Sequence, residues 1–292
     1  MMKGKVTKMT EILWDAALDC VKILPFLFLS YLAVEYTEHR MSQKTKNWIY
    51  RAGKAGPVLG GLIGIIPQCG FSAAAAGLFA GGIVTPGTLI AVFLSTSDEM
   101  LPIMLSEGLP AMMIVKVLAA KAATGIVVGL LVDLVAEYAL GMKREIPETQ
   151  EMCEHEHCHC SENGIFRSAL NHTAQITVFL FVISVVLGFG MEYLQERGVT
   201  QSFLAVPGLE EAASALVGMI PNCAASVLIT QLYISGFLGS GALFSGLLCG
   251  AGTGLLVLFR ENQNRRESLI LTGVLYVSGV FAGILLGMMH IL

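Results

Sequence analysis

Between Cys153 and Cys160 the chain reads Cys153-Glu154-His155-Glu156-His157-Cys158-His159-Cys160, six thiol or imidazole side chains in eight residues. Thiolate and imidazole together make a ligand set for transition metals. The spacing departs from that of a folded zinc finger. Cys153, His155, His157, Cys158, His159 and Cys160 are therefore expected to form an open, exchangeable metal site. The plainer alternative is a solvated acidic loop with incidental histidines. His172, at the head of the next apolar run, either extends the cluster or simply caps its helix or titrates at the interface.

A second constellation lies inside apolar sequence. Residues 64–72 read GIIPQCGFS and residues 218–226 read GMIPNCAAS, 154 positions later. Proline removes a backbone donor and glycine loosens the chain, so a helix entering Pro67 or Pro221 stops or kinks there. The freed backbone groups and the side chains of Gln68, Cys69, Ser72, Asn222, Cys223 and Ser226 offer oxygen and thiol ligands. Either copy alone reads as small-residue helix packing around a buried thiol. Repetition of both Pro and Cys at one offset points instead to a substrate site.

A further polar break, Ser95-Thr96-Ser97-Asp98-Glu99, has Cys249-Gly250-Ala251-Gly252-Thr253 as its counterpart. It adds Ser95, Ser97, Asp98, Glu99, Cys249 and Thr253 to the candidate substrate ligands. Ionisable groups at membrane depth are costly and functional by default. The acids occur in one half only, and Lys121 is likewise replaced by Leu275 in the other. That joint loss marks Lys121 as the charge partner of Asp98 or Glu99. The pair is either a structural ion pair or a device in which Lys121 stands in for a cation when the site is empty.

The elements that must position these residues are membrane spans. Hydrophobic residues make up 54% of the 292 and charged ones 14%, against about 25% charged in a soluble domain. The apolar runs reach the roughly 20 residues that cross a hydrocarbon core. A net charge of −4 implies nothing about nucleic acid, and no basic patch lies outside short loops, so no nucleic-acid partner is expected. Residues 11–33 are too long for a signal h-region, so no cleavable signal peptide is expected. The cysteines do not form a disulfide framework.

Apolar segments at 10–36, 55–66, 71–84, 87–106 and 110–139 recur as 168–192, 212–220, 223–237, 241–258 and 268–290. The chain thus divides into a first transmembrane repeat at 1–141, a Cys/His-rich linker at 142–166 and a second repeat at 167–292. Asp15, Asp19 and Lys22 share one face of the first span as a self-neutralised cluster. Loop 37–54 carries Arg40, Lys44, Lys46, Arg51 and Lys54, whereas its counterpart carries only Arg197. Loop 107–109 carries no Lys or Arg, whereas its counterpart carries Arg260, Arg265 and Arg266. Corresponding loops therefore prefer opposite sides of the membrane. The expected fold is an all-α integral membrane protein of two inverted-topology repeats, about five helical segments each, with broken helices at Pro67–Cys69 and Pro221–Cys223. Loops 37–54, 142–166 and 259–267 would face the cytosol; Lys3, Lys5 and Lys8 are discordant.

The motifs GIIPQCGFSAAAAGLFAGG at 64–82, STSDE at 95–99, the Cys/His linker at 153–160 and GMIPNCAAS at 218–226 resemble those of the ten-helix heavy-metal exporter family. Its members carry labels of manganese transporter or arsenic-efflux permease. The resemblance covers essentially the whole chain. It implies a multi-pass efflux permease of a bacterial-type inner membrane. The expected function is secondary export of a divalent heavy or transition metal, manganese or a Zn/Ni/Co-like ion, coupled to protons. Arsenite or organoarsenical efflux is the alternative. Cys and His favour the softer ions; Asp98, Gln68, Asn222 and the serines suit manganese. No phosphate-cradling loop is present, so energy would come from an ion gradient or from the substrate itself. No cofactor is required beyond the metal as substrate and linker ligand. The partners are the metal ion and membrane lipid, and the oligomeric state is open, a homodimer included. From another class, a thiol-redox enzyme would use Cys69 and Cys223, although neither thiol has a base at readable spacing. A passive channel is a third reading.

Overall fold

Proline, glycine and polar caps decide where the apolar runs of this chain become separate helices. The computed structural model describes residues 55–66, 69–96, 100–138, 209–221 and 223–289, with parts of 10–32 and 166–189. Among the described residues all regular structure is helical. The first half contains α1 (Gly56–Ile63), α2 (Cys69–Ala80), α3 (Pro86–Ser95), α4 (Met100–Ser106) and α5 (Ala111–Tyr138). The second contains α6 (Leu209–Gly218), α7 (Cys223–Ile234), α8 (Ser240–Cys249), α9 (Thr253–Glu261) and α10 (Arg265–Met288). Each helix of the second half starts 153 or 154 residues after its counterpart.

The stops are local chemistry. After α2 the chain turns at Gly82 (φ 69°), with Ile83 N–H donating to the Leu78 carbonyl at 2.9 Å; after α7 it turns at Gly236 (φ 75°), with Phe237 N–H donating to Leu232 at 2.9 Å. This is the Schellman ending, which needs a left-handed residue that glycine supplies without strain. It ends the second short segment at Ala80, ahead of the expected 84. Helix α3 then starts on Thr85, whose Oγ1 accepts from Thr88 N–H at 2.9 Å, with Pro86 in the first turn. Helix α10 is capped by Asn264, whose side chain accepts from Glu267 N–H. The sequence predicts a seventh segment from 212, with Glu210 and Glu211 in the loop before it. The helix begins at Leu209 and takes both acids into its first turn, where carboxylates offset the positive helix end.

Among the described residues three stretches are long and apolar enough to span a membrane: Ala111–Tyr138, Ser240–Glu261 and Arg265–Met288. The second of these comprises α8 and α9, divided at residues 250–252. Helices α5 and α10 turn Leu131, Leu134, Val135, Ile270, Val277 and Phe281 outward, an apolar exterior suited to lipid tails. In contrast, every residue of α3 from Gly87 to Ser95 and of α8 from Gly241 to Cys249 is buried.

The two halves pack alike. Helix α3 lies between α1 and α5, and α8 lies between α6 and α10. Between the halves α2 packs on α9 and, reciprocally, α7 packs on α4; α3 touches α10 as α8 touches α5. Small residues allow the close approach, because lipid offers no hydrophobic drive between helices. Gly125 and Gly129 on α5 lie over α3: a Cβ at Gly125 would come within 2.6 Å of the Ala91 carbonyl oxygen. Gly279 and Gly283 do the same on α10, where a Cβ at Gly283 would come within 2.7 Å of the Gly241 carbonyl oxygen.

The described residues of segments 10–32 and 166–189 are helical. The Phe28 and Phe166 rings meet edge to face at 5.2 Å between centroids, and Cys20 Sγ lies 3.9 Å from the Thr177 carbonyl oxygen. The higher number on one segment meets the lower number on the other, so the opening spans of the two halves run antiparallel.

Candidate functional site

Ten residues of α-helix cover about 15 Å, half of a hydrocarbon core of about 30 Å. Helices α3 and α8 are of this length, so each that starts at a membrane surface ends near the middle. Their outer ends are held by carboxylates. Asp133 Oδ1 on α5 accepts from Gly87 N–H at 2.7 Å, and Glu210 Oε1 on α6 accepts from Gly239 N–H at 2.6 Å. Both acids meet the positive N-terminal end of a helix.

The inner ends carry carbonyls without intrahelical donors and the negative end of the dipole. The last turns of the two helices differ in what meets their carbonyls. At α3, Ser95 Oγ donates to the Ala91 carbonyl at 2.7 Å and Thr96 Oγ1 donates to the Val92 carbonyl at 2.7 Å. At α8 the chain turns tightly through Gly250, with Ala251 N–H donating to the Cys249 carbonyl at 2.8 Å. The Leu247 carbonyl is reached from the other half: Lys121 Nζ donates to it at 2.5 Å. Lys121 is 1% exposed, and a cation so placed answers the helix end as a C-terminal Lys does at a protein surface.

Several expected ligands gather around these ends. Ser72 is fully buried where α2 crosses α9, and a Cβ at Gly254 would lie 2.8 Å from both Ser72 Cβ and Phe93 Cε1. Ser226, in the first turns of α7, lies beside Gly250, where a Cβ would be 3.6 Å from its Oγ. Cys249 is buried and reduced in the last turn of α8, its Sγ 3.6 Å from the Leu275 carbonyl oxygen. Thr253 opens α9, 5% exposed, and its Oγ1 has no hydrogen-bond partner among the described residues. Ser95, by contrast, already donates its hydroxyl proton within its own helix, leaving only its oxygen lone pairs for a ligand role.

Gln68, Ser97, Asp98, Glu99 and Asn222 lie outside the described residues, as do the side chains of Cys69 and Cys223 and the whole Cys153–Cys160 cluster. The expected pairing of Lys121 with Asp98 or Glu99 falls there too. Among the described residues no three His, Cys, Asp or Glu side chains converge. The sequence reading missed Asp133 and Glu210 as holders of the half-helix ends, and it missed the Leu247 carbonyl. A lone acid near a span end carries no pattern, and a backbone oxygen carries no sequence signal at all.

Buried half-helices with polar groups at their inner ends are a construction that many membrane transporters share. The chain belongs to the family described as "Putative, 10TM heavy-metal exporter", whose model matches residues 8–196. No curated protein and no solved structure matches it. A transporter family gives no support to the thiol-redox reading of Cys69 and Cys223.

Proposed function

We propose that this chain is a secondary exporter of a divalent transition-metal cation, manganese or a Zn/Ni/Co-like ion, exchanged for protons at Asp98. The observation that supports it most is the Lys121 ammonium on the Leu247 carbonyl, 1% exposed at the inner end of a buried half-helix. A protein interior that takes a cation there is electrostatically suited to cations. Backbone carbonyls and hydroxyls at such helix ends coordinate ions in transporters built from discontinuous helices.

The two halves are read as inverted repeats. The reciprocal packing of α2 on α9 and of α7 on α4 supports a pseudo-twofold relation. A twofold axis along the membrane normal would make equivalent spans parallel. The antiparallel run of segments 10–32 and 166–189 favours an axis in the membrane plane. On this reading loop 142–166 is cytosolic and captures metal before the transport step, in a bacterial-type inner membrane.

A dication in a low-dielectric site needs negative charge that amides and hydroxyls do not supply. Asp98 follows α3 directly and would supply it, holding metal in one state and a proton in the other. Proteoliposome flux with Mn2+, Zn2+, Co2+ and Ni2+, for the natural protein and Asp98→Asn, tests this. The natural protein should move at least one of these ions, and Asp98→Asn should abolish flux and its pH dependence while remaining folded. Natural flux in Asp98→Asn, alone and with Glu99→Gln, would refute the acid's role and point to an uncharged substrate such as a trivalent arsenical.

A further inference from the structure

The inner ends of α3 and α8 are equivalent by sequence offset, yet among the described residues a cation from the protein meets only that of α8. Position 121 on α5 is lysine, and its equivalent on α10, position 275, is leucine. Both are buried, Lys121 at 1% and Leu275 at 0% exposure, and α10 packs on α3 as α5 packs on α8. The difference is thus in charge and not in burial. Moreover, the Leu247 carbonyl lies in the last turn of α8, and the tight turn at Gly250 sends Ala251 N–H to the Cys249 carbonyl instead. The backbone leaves this oxygen to the ammonium. At α3 the Ser95 and Thr96 hydroxyls bond back to the Ala91 and Val92 carbonyls, within the helix and short of its last carbonyls, where α8 has Cys249 and Gly250, which carry no hydroxyl.

From this we infer that the inner end of α8 is a cation site and that Lys121 is its tethered occupant. One of two equivalent helix ends is thus filled by the protein, and the other, at α3, is left for a mobile ion. The first clause needs only the geometry. The second rests on the export reading above.

The site clause is tested without any transported metal. Lys121→Arg, Lys121→Gln and Lys121→Leu are purified and melted in choline chloride, NaCl and KCl at equal ionic strength. Arg keeps the charge and should melt like the natural protein in all three salts. Gln keeps a donor but no charge, and Leu copies position 275. Both should melt lower in choline and recover selectively in Na+ or K+, because a small cation can enter where choline cannot. At a salt concentration a hundred times its Kd, recovery should be about 5–10 °C. Natural melting of Lys121→Gln in choline would overturn the inference, since a neutral donor would then suffice. Equal destabilisation of Gln and Leu in all three salts would overturn it too, and so would failure of all three variants to fold. Folding of Arg alone, with Gln and Leu both failing, would support a required fixed charge.

The substrate clause is read separately, by flux through Lys121→Leu. Cation-dependent melting together with a new Na+ or K+ requirement for metal flux supports both clauses. Cation-dependent melting with unaltered flux leaves the site in place and overturns its link to transport.

Discussion

Asp133 offers a direct measure of what holds the half-helices in place. Its Oδ1 accepts from the N–H of Gly87, a buried residue in the first turn of α3, at 2.7 Å. That amide is one of the donors a helix start leaves without an intrahelical partner. Asp133→Ala removes the acceptor and leaves the donor buried. A hydrogen bond to a charged group contributes about 1.5–3 kcal/mol, and the carboxylate at the helix end adds about 0.3–1 kcal/mol. The expected loss is therefore about 2–4 kcal/mol, or roughly 4–16 °C in melting temperature at about 2–4 °C per kcal/mol. Asp133→Asn keeps an acceptor of the same reach and loses only the charge, so about 1 kcal/mol and roughly 2–4 °C should go. Thermal unfolding in detergent, followed by tryptophan fluorescence, reads both. If Asn and Ala melt together, the acceptor does not matter and the hydrogen-bond reasoning fails. If Asn melts like the natural protein while Ala falls, the charge at the helix end contributes nothing and the dipole reasoning fails.

Two further outcomes are expected. Gly254→Val should destabilise the protein by about 1–3 kcal/mol, because even its Cβ would stand 2.8 Å from Phe93 and Ser72 at the crossing of α2 and α9; natural melting of this variant would mean that the crossing opens at no cost. Replacing Cys153, His155, His157, Cys158, His159 and Cys160 together with Ser and Ala should weaken apparent metal affinity while flux persists. Complete loss of flux with normal membrane insertion would make the linker the transport site itself.

The long spans were legible because a membrane helix is written in its own residues. α5 and α10 begin and end within a few positions of the apolar runs at 110–139 and 268–290. Breaks were legible as well, since Gly250 and Gly252 interrupt an apolar run that would otherwise be continuous. Short helices were harder. Glu210 and Glu211 read as loop charges, because from sequence alone an acidic first turn and an acidic loop look the same until something receives the carboxylate. Gly239 N–H receives Glu210 here, 29 positions away. The Leu247 carbonyl that Lys121 reaches was out of reach for a similar reason: it is a backbone atom 126 positions along the chain. The expected pairing of Lys121 with Asp98 or Glu99 lies outside the described residues.

Comparison of the two halves separates scaffold from site. The glycines that let α5 lie on α3 recur where α10 lies on α8: Gly125 with Gly279, and Gly129 with Gly283. The turns at Gly82 and Gly236 recur too. At the third position of the same stripe the halves part, with Asp133 reaching the start of α3 and Gly287 making room for the Gly241 backbone. They part again at Lys121 and Leu275, at Ser95 and Cys249, and at Thr96 and Gly250. Packing tolerates little change, since an added methylene in a close-packed crossing is felt at once. Function needs the change. On the export reading, two identical helix ends would offer one dication two equal wells, and a site must bind weakly enough to release as well as strongly enough to load. A lysine in one of them leaves a single well, beside the only half that carries Asp98 and Glu99.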